Sequence, residues 1–386
     1  MAGEILLAVS ALLLLLAAHP FVTYPLSLRL LRRSRPAEET TEEAAPAGFA
    51  ICVCAYNEEA VIERKVENML DLRRRYGALE ILVYVDAATD RTAQLLERFR
   101  GEITVIVSPR RFGKTHGMNL LVERATAPII VFTDANVMVG EDSLAALGDA
   151  FRDPDVGCVC GHLVYTNAAG TPTASVGSIY WRLEEQIKRL ESEEGAAMGA
   201  DGSLFAVRRH LHRPVPPNLI DDMYLSLSVL CDGFRVVRAE KAVAYEESVT
   251  ASGEEFRRKI RIACQAFNVH RELWPSLRQM PRRVVYMYVS HKLLRWLAIY
   301  NLALAGVVAA AGLALLGVPV AAILLAGVAG AALLWGGHAR HISPLAQVGE
   351  ILVALLGAGI GVAESIRGKQ YQTWTPATSI RQLPQD

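Results

Sequence analysis

Apolar and polar positions along the 386-residue chain fall into two regimes, long uncharged stretches near both ends and alternating short patterns between them. Ile5 to Leu28 carries no charged side chain and is long enough to cross a bilayer, whose core takes about 20 apolar residues. Trp296 to Trp335 is uncharged and about twice one span in length, with Gly317, Val318 and Pro319 supplying a turn at its middle. It predicts two antiparallel spans. Ile342 to Ala363 is a third candidate, weakened at its start by Pro344, Gln347 and Glu350.

Between these stretches, short apolar runs alternate with helical spacing. Phe49 to Ala55, Ile81 to Val85, Ile103 to Val107 and Ile129 to Thr133 predict strands, while Glu58 to Leu72 and about Arg91 to Arg100 predict helices. That alternation is the βαβ pattern of a mostly parallel sheet with helices on both faces. Ile179 to Glu191 predicts an amphipathic helix with Tyr180, Trp181, Leu183, Ile187 and Leu190 on its apolar side.

Composition narrows the picture. One soluble domain of roughly 200 to 250 residues fits beside the apolar spans, and a second does not. The 40 basic and 40 acidic side chains cancel, which argues against nucleic acid as a partner. Six cysteines lie mostly inside apolar runs without Cys-x-x-Cys spacing, so core packing in a reducing compartment is expected. Arg29, Arg32, Arg33 and Arg35 follow the first apolar stretch instead of preceding it. This order opposes a cleaved leader and predicts an outward N-terminus with the following domain cytoplasmic. Residues 34–48, rich in Glu, Thr, Ala and Pro, read as a linker. The expected division is a spanning helix over 1–30, a basic flank and linker over 31–48, a cytoplasmic domain over 49–255, interfacial helices over 256–295, spans over 296–363 and a tail over 364–386.

Two aspartates, Asp86 and Asp134, end the second and fourth apolar runs, the place where open α/β sheets bind ligands. Ala55, Tyr56, Asn57, Glu58 and Glu59 follow the first run, and Asp86 to Thr92 follow the second. Arg111, Phe112, Gly113 and Lys114 with Asn119, and then Thr133, Asp134, Ala135 and Asn136, come next in order. This series resembles the membrane-bound, inverting family-2 nucleotide-sugar glycosyltransferases of the cellulose, hyaluronan and poly-N-acetylglucosamine synthase group. The resemblance implies a GT-A, Rossmann-like α/β fold with one N-terminal and two to three C-terminal transmembrane helices.

It also implies roles. Tyr56, Asn57, Glu58 and Asp86 would hold the nucleotide. Lys114, Arg258 and Arg261 would lie near the diphosphate, and Asp134 with Asn136 would hold a divalent cation, Mn²⁺ or Mg²⁺. Asn136 stands where the family often has a second carboxylate. Leu219 to Leu225 resembles the family's acidic pair, with Asp222 as the base that takes the acceptor proton and Asp221 as its neighbour. Gly199, Asp201 and Gly202 resemble its acceptor-side loop, and Trp181 is a candidate acceptor contact. Arg258 to Ile262 keeps one arginine of the family's Gln-x-x-Arg-Trp but not the Gln or Trp, which weakens the expectation of processive synthesis. Tyr371 to Thr375 faintly resembles a Trp-containing gating segment.

The reading is an inverting transfer from a nucleotide sugar, most simply a uridine diphosphate sugar, to a membrane-associated acceptor in exopolysaccharide or cell-envelope synthesis. The close alternative is single transfer to a lipid carrier, and a further one is a non-catalytic scaffold in an export complex. Membrane lipids are expected partners in each case, with membrane-complex subunits as further partners.

Overall fold

The computed structural model describes residues 1–30, 48–166, 172–247, 252–340, 342 and 345–373, with the side chains of 172–181 and 252–255 outside that description. The expected linker and Trp374 lie outside the described residues.

Eight strands form one sheet in the order β3-β2-β1-β4-β7-β6-β8-β5. The half made of β3 (Thr104–Val107), β2 (Leu79–Val85), β1 (Phe49–Ala55) and β4 (Ile129–Thr133) is parallel, as predicted. The other half is mixed. β7 (Leu204–Arg208) runs antiparallel to β4 and to β6 (Val156–Tyr165), β8 (Arg235–Glu246) is parallel to β6, and β5 (Met138–Val139) is antiparallel to β8. Apolar periodicity reports burial and not strand direction, so this reversal was invisible in the sequence.

β1 is buried along its whole length because side chains alternate between two cores. Phe49, Ile51, Val53 and Ala55 meet Ile62, Val66 and Met69 of α3 (Ile62–Tyr76) on one face. Cys52 and Cys54 join Met118 and Leu121 of α5 (Lys114–Arg124), Leu225 and Leu227 of α8 (Asp221–Cys231) and Phe267 of α9 (Ser252–Leu277) on the other. Cys158 and Cys160 enter the same core, and all six cysteines are free, as core packing requires. The helix after β2 is short, α4 (Thr92–Leu96) followed by a 3₁₀ turn. α6 (Ser143–Ala150) packs beside β8, and α7 (Pro172–Glu193) contains the predicted amphipathic helix.

The single N-terminal span expected over Ile5 to Leu28 is instead two helices, α1 (Ala2–Ala18) and α2 (Thr23–Leu30), bent by 67°. Pro20 sits at the break and lacks the N–H that would continue the helical ladder. The Tyr24 N–H reaches back five residues to the His19 carbonyl.

At the other end, α10 (Arg282–Tyr288), a π-helical turn (Val289–Leu293) and α11 (Leu294–Leu315) form one long apolar unit. α12 (Val320–Ala339) and α13 (Leu345–Ile366) follow, with Gly317 at φ +89° in the predicted turn. All three are long and apolar enough to cross a membrane, and the bent α1–α2 pair would add a fourth. α13 packs closely on α9, where a Cβ on Gly361 would lie 2.5 Å from the Ile260 carbonyl oxygen. Beyond α13 the chain returns to the sheet domain. The Gln265 amide donates to the Tyr371 carbonyl at 3.0 Å, and Asn268 donates to that of Lys369 at 3.4 Å. Tyr24, Leu28, Trp296 and Val362 belong to the same core as α5 and α8, so the apolar helices and the sheet domain share packing.

Candidate active site

The carboxyl ends of β1, β2 and β4 open onto loops that are stitched together. Asn57, in the left-handed region at φ 53°, accepts the Thr89 N–H at 2.8 Å and donates to the Thr89 hydroxyl at 3.1 Å. The Glu58 N–H donates to the Thr92 hydroxyl, and the Glu59 N–H to Asp90. Tyr56 and Asn57 are half-buried, whereas Glu58 is buried at 2% exposure, so the first two face the opening and the third supports the loop.

Asp86 is fully buried and takes a supporting part. Its carboxylate accepts the Phe112 N–H at 2.8 Å and the Gly113 N–H at 3.1 Å, with Arg111 Nε at 3.7 Å. The predicted nucleotide contact also holds the Arg-Phe-Gly-Lys loop in place. Arg111 in turn lies over the Tyr56 ring at 3.6 Å, a flat cationic and aromatic pair at the pocket's edge. Gly113, at φ +94°, is required twice over. Its backbone conformation excludes side chains, and a Cβ would lie 2.1 Å from the Gln372 carbonyl of the returning tail.

That turn starts α5 and delivers Lys114 to the centre. Its ammonium lies 2.8 Å from Asp134 Oδ1 and 3.2 Å from Asp221 Oδ2. Burial works against this charge, but Asp134, Asp221 and Asp222 outweigh it and hold Lys114 well above the ordinary lysine value. Asn119 of the same helix brackets the Val215 backbone through both its amide atoms.

Below Asp134, α3 contributes a lysine that sequence reasoning missed. Lys65 is fully buried and donates to the Thr133 hydroxyl at 3.1 Å and to the Val137 carbonyl. Burial, opposed by Asp134, pushes it down to about 7. Asn68 clamps the Val139 backbone at both N–H and C=O, so residues 133–139 are fixed from beneath.

Asn136 donates its amide N–H to Glu246 Oε1 at 3.0 Å, which leaves its oxygen as a ligand atom. Glu246, at the end of β8, brings a second carboxylate to the place where the motif has none. Burial and the Asp134 charge push it up to about 7, against Arg258. An Asp carboxylate, an amide oxygen and a nearby Glu carboxylate form an oxygen donor set suited to one hard divalent cation. Among the described residues, no group of three or more His, Cys, Asp or Glu is placed to hold a metal ion by itself. Glu246 carries no motif, and only the end of a strand 110 residues after Asn136 marks it.

The acidic pair starts α8. Asp221 is buried and paired with Lys114. Asp222 accepts the Met223 N–H at 2.6 Å, and burial together with the Asp221 charge pushes it up to about 7 against the pull of Lys114. Gly202 lies against it, and a Cβ there would be 3.2 Å from Asp222 Oδ2 and 3.6 Å from Lys114 Nζ. Gly199 adopts φ +109°, and Asp201 accepts the Ser203 N–H with Lys188 at 3.6 Å. Despite burial, Lys188 and that N–H hold Asp201 below its usual value. On α9, Arg261 donates to Gln265 at 3.0 Å, and its charge acts on Asp221 and Asp134, while that of Arg258 acts on Glu246 and Asp201. The structure thus gathers Lys114, Asp134, Asn136, Gly202, Asp222, Arg258 and Arg261 around one opening. Trp181 lies on α7 with its side chain outside the described residues.

Comparison with known proteins agrees with this geometry. Residues 50–215 match the family model described as glycosyl transferase family 2. An N-acetylglucosaminyltransferase of Rhizobium leguminosarum bv. viciae is 24% identical over 251 residues, 60% of this chain and 58% of that one. A beta-monoglucosyldiacylglycerol synthase of Nostoc sp. is 30% identical over 115 residues, 28% of this chain and 25% of that one. The chain therefore spans a little under three fifths of the first of these curated relatives. Among solved structures, the mannosyltransferase PcManGT from Pyrobaculum calidifontis, in complex with GDP-Man and Mn²⁺, covers 95% of this chain and all of that one at a TM-score of 0.70 and 23% identity, which shows a common fold. The mixed sheet, the loops gathered at its carboxyl edge and the match over residues 50–215 agree: that segment is a glycosyl transferase family 2 domain, and the chain has a GT-A-like fold.

Proposed function

We propose that this chain transfers a hexose or N-acetylhexosamine, with inversion, from a uridine diphosphate sugar to a hydroxyl of a membrane-associated acceptor in exopolysaccharide or cell-envelope glycan synthesis. The observation that carries the reading is the pairing of a carboxylate poised near neutrality, Asp222, with the cationic and oxygen-donor cluster of Lys114, Asp134 and Asn136 across Gly202. The N-acetylglucosaminyltransferase relatives support the sugar class.

Asp222 removes the acceptor hydroxyl proton as the acceptor oxygen forms its bond to the anomeric carbon. The bond from that carbon to the diphosphate oxygen breaks, and its electron pair leaves with the diphosphate. Lys114, Arg258 and Arg261 receive the charge that develops there. Asp134 and Asn136, with Glu246 beside them, would hold the divalent cation, which supplies Lewis-acid stabilisation of the diphosphate when bound. Tyr56 with Arg111 offers the flat surface for the base, and Asp86 keeps that loop in register. The apolar helices beside the site favour an acceptor held at the membrane, and the arginines that follow the first apolar stretch favour a sheet domain on the cytoplasmic side.

Single addition to a lipid carrier is the second reading, favoured by the missing Gln and Trp around Arg258 and Arg261. A radiolabelled donor screen with purified protein, Mn²⁺ and a native membrane extract tests both. Labelled product from a uridine diphosphate sugar supports the proposal, and its length distribution separates a polymer from a single addition. Failure of every common nucleotide sugar to transfer or hydrolyse would sink the reading.

A further inference from the structure

Glu191, near the C-terminal end of α7, is fully buried and has no part in the donor and base chemistry above. Its carboxylate collects partners from three separate parts of the chain. The Tyr24 hydroxyl on α2 donates to Oε1 at 2.5 Å. His291 Nδ1, in the π-helical turn at the base of α11, faces the same oxygen at 2.7 Å. The Met198 backbone N–H donates to Oε2 at 3.0 Å.

Met198 immediately precedes the loop of Gly199 to Gly202. From there the bonds continue to the base. The Ala200 N–H donates to the Ser226 hydroxyl at 3.0 Å, and that hydroxyl donates to the Asp222 carbonyl at 2.6 Å. A buried carboxylate left without its donors is costly, so all three partners are held to one geometry. The brace is itself fixed, because the other ring nitrogen of His291 lies 3.1 Å from Glu184, which also pairs with Arg295. Single π-turns inside helices are frequent at functional sites, and here the turn carries the fully buried His291.

We infer that Glu191 is a positioning residue that couples the seating of the N-terminal apolar helix pair, through Tyr24, to the acceptor-side loop. The inference rests on the reading of Gly199 to Gly202 as that loop. Transfer to a membrane-held acceptor then depends on how α2 packs, whereas hydrolysis of the donor by water does not.

The test uses the full chain in lipid nanodiscs with Mn²⁺, the best uridine diphosphate sugar from the donor screen and the native membrane lipid fraction as acceptor, and it reads transfer and donor hydrolysis together. Tyr24→Phe removes one hydroxyl, and Glu191→Gln keeps the size while weakening all three contacts. Tyr24→Phe is expected to lower the transfer-to-hydrolysis ratio about fivefold, the worth of one net hydrogen bond, and Glu191→Gln more, with donor KM unchanged in both. A ratio that stays at the parent value in both variants overturns the coupling, as does a parallel change in donor KM, which marks general loosening. Gly202→Ala separates the two claims. If it alters the ratio while Tyr24→Phe does not, only the coupling fails; if neither does, the acceptor-side reading fails with it.

Discussion

Asp221 and Asp222 are neighbours in sequence with different environments. Asp221 is paired with Lys114, whereas Asp222 has Gly202 against it and is pushed up to about 7. A base must be deprotonated to act, so kcat is expected to fall as pH drops through about 7, a limb that a pH–rate profile at saturating donor reads directly. A profile flat from pH 5.5 to 8 would remove Asp222 from that role. Asn136 and Glu246 give a second prediction at this scale. Glu246→Gln keeps a hydrogen-bond acceptor for Asn136 but removes the carboxylate, and is expected to weaken Mn²⁺ binding in the presence of UDP about tenfold by calorimetry. Asn136→Asp in that background should restore it. Unchanged Mn²⁺ affinity in Glu246→Gln would leave Glu246 a structural partner. Asp134 and the acidic pair were legible in the sequence because each follows a strand or starts a helix within a short motif. Glu246, Lys65 and Glu191 were not, because each reaches its partners from a distant element and carries no local pattern.

At the scale of elements, the ends of β1 and β4 match the sequence reading, since uninterrupted apolar runs bounded by polar loops mark a strand buried on both faces. The loops between them were legible as motifs but not as structures. Asp86 shows why. Its position after β2 was evident, while its partners, the Phe112 and Gly113 N–H groups, come from 26 and 27 residues later. The turn before α5 is the most sensitive of these loops, because Gly113 combines a glycine-only backbone conformation with contact to the tail. Gly113→Ala is expected to raise donor KM about tenfold, in line with roughly 1–3 kcal/mol of backbone strain, with a smaller rise in acceptor KM. Donor KM within twofold of the parent would show that the loop does not set the donor site. The N-terminal break was legible only as Pro20, since an uncharged stretch does not report whether its helix is straight.

For the whole molecule, the tail decides a question of parity. Residues 369–373 pack on α9 and cross Gly113, so the tail and the sheet domain lie on one side of any membrane the helices enter. α11, α12 and α13 must then make an even number of crossings, although all three are apolar and long enough to span. α13 lies along α9, whereas α12 is nearly all exposed, and we expect α11 and α12 to cross as a pair with α13 lying against the sheet domain. A cysteine at Val318 should label only from the face opposite the sheet domain, and one at Arg340 only from the same face. Labelling of Arg340 from the opposite face would assign the crossing to α13 instead. The sequence left this parity open because hydropathy measures length and composition, and what fixes it is a set of polar contacts between the tail and α9.

The most direct test of the account is sugar transfer by the purified chain, with Mn²⁺ and the best uridine diphosphate donor, compared among the parent, Asp222→Asn and Asp221→Asn. The account predicts that Asp222→Asn lowers turnover by about 10² or more while donor binding persists, with a smaller loss for Asp221→Asn. Equal losses in the two variants, or turnover in Asp222→Asn close to the parent, would contradict it.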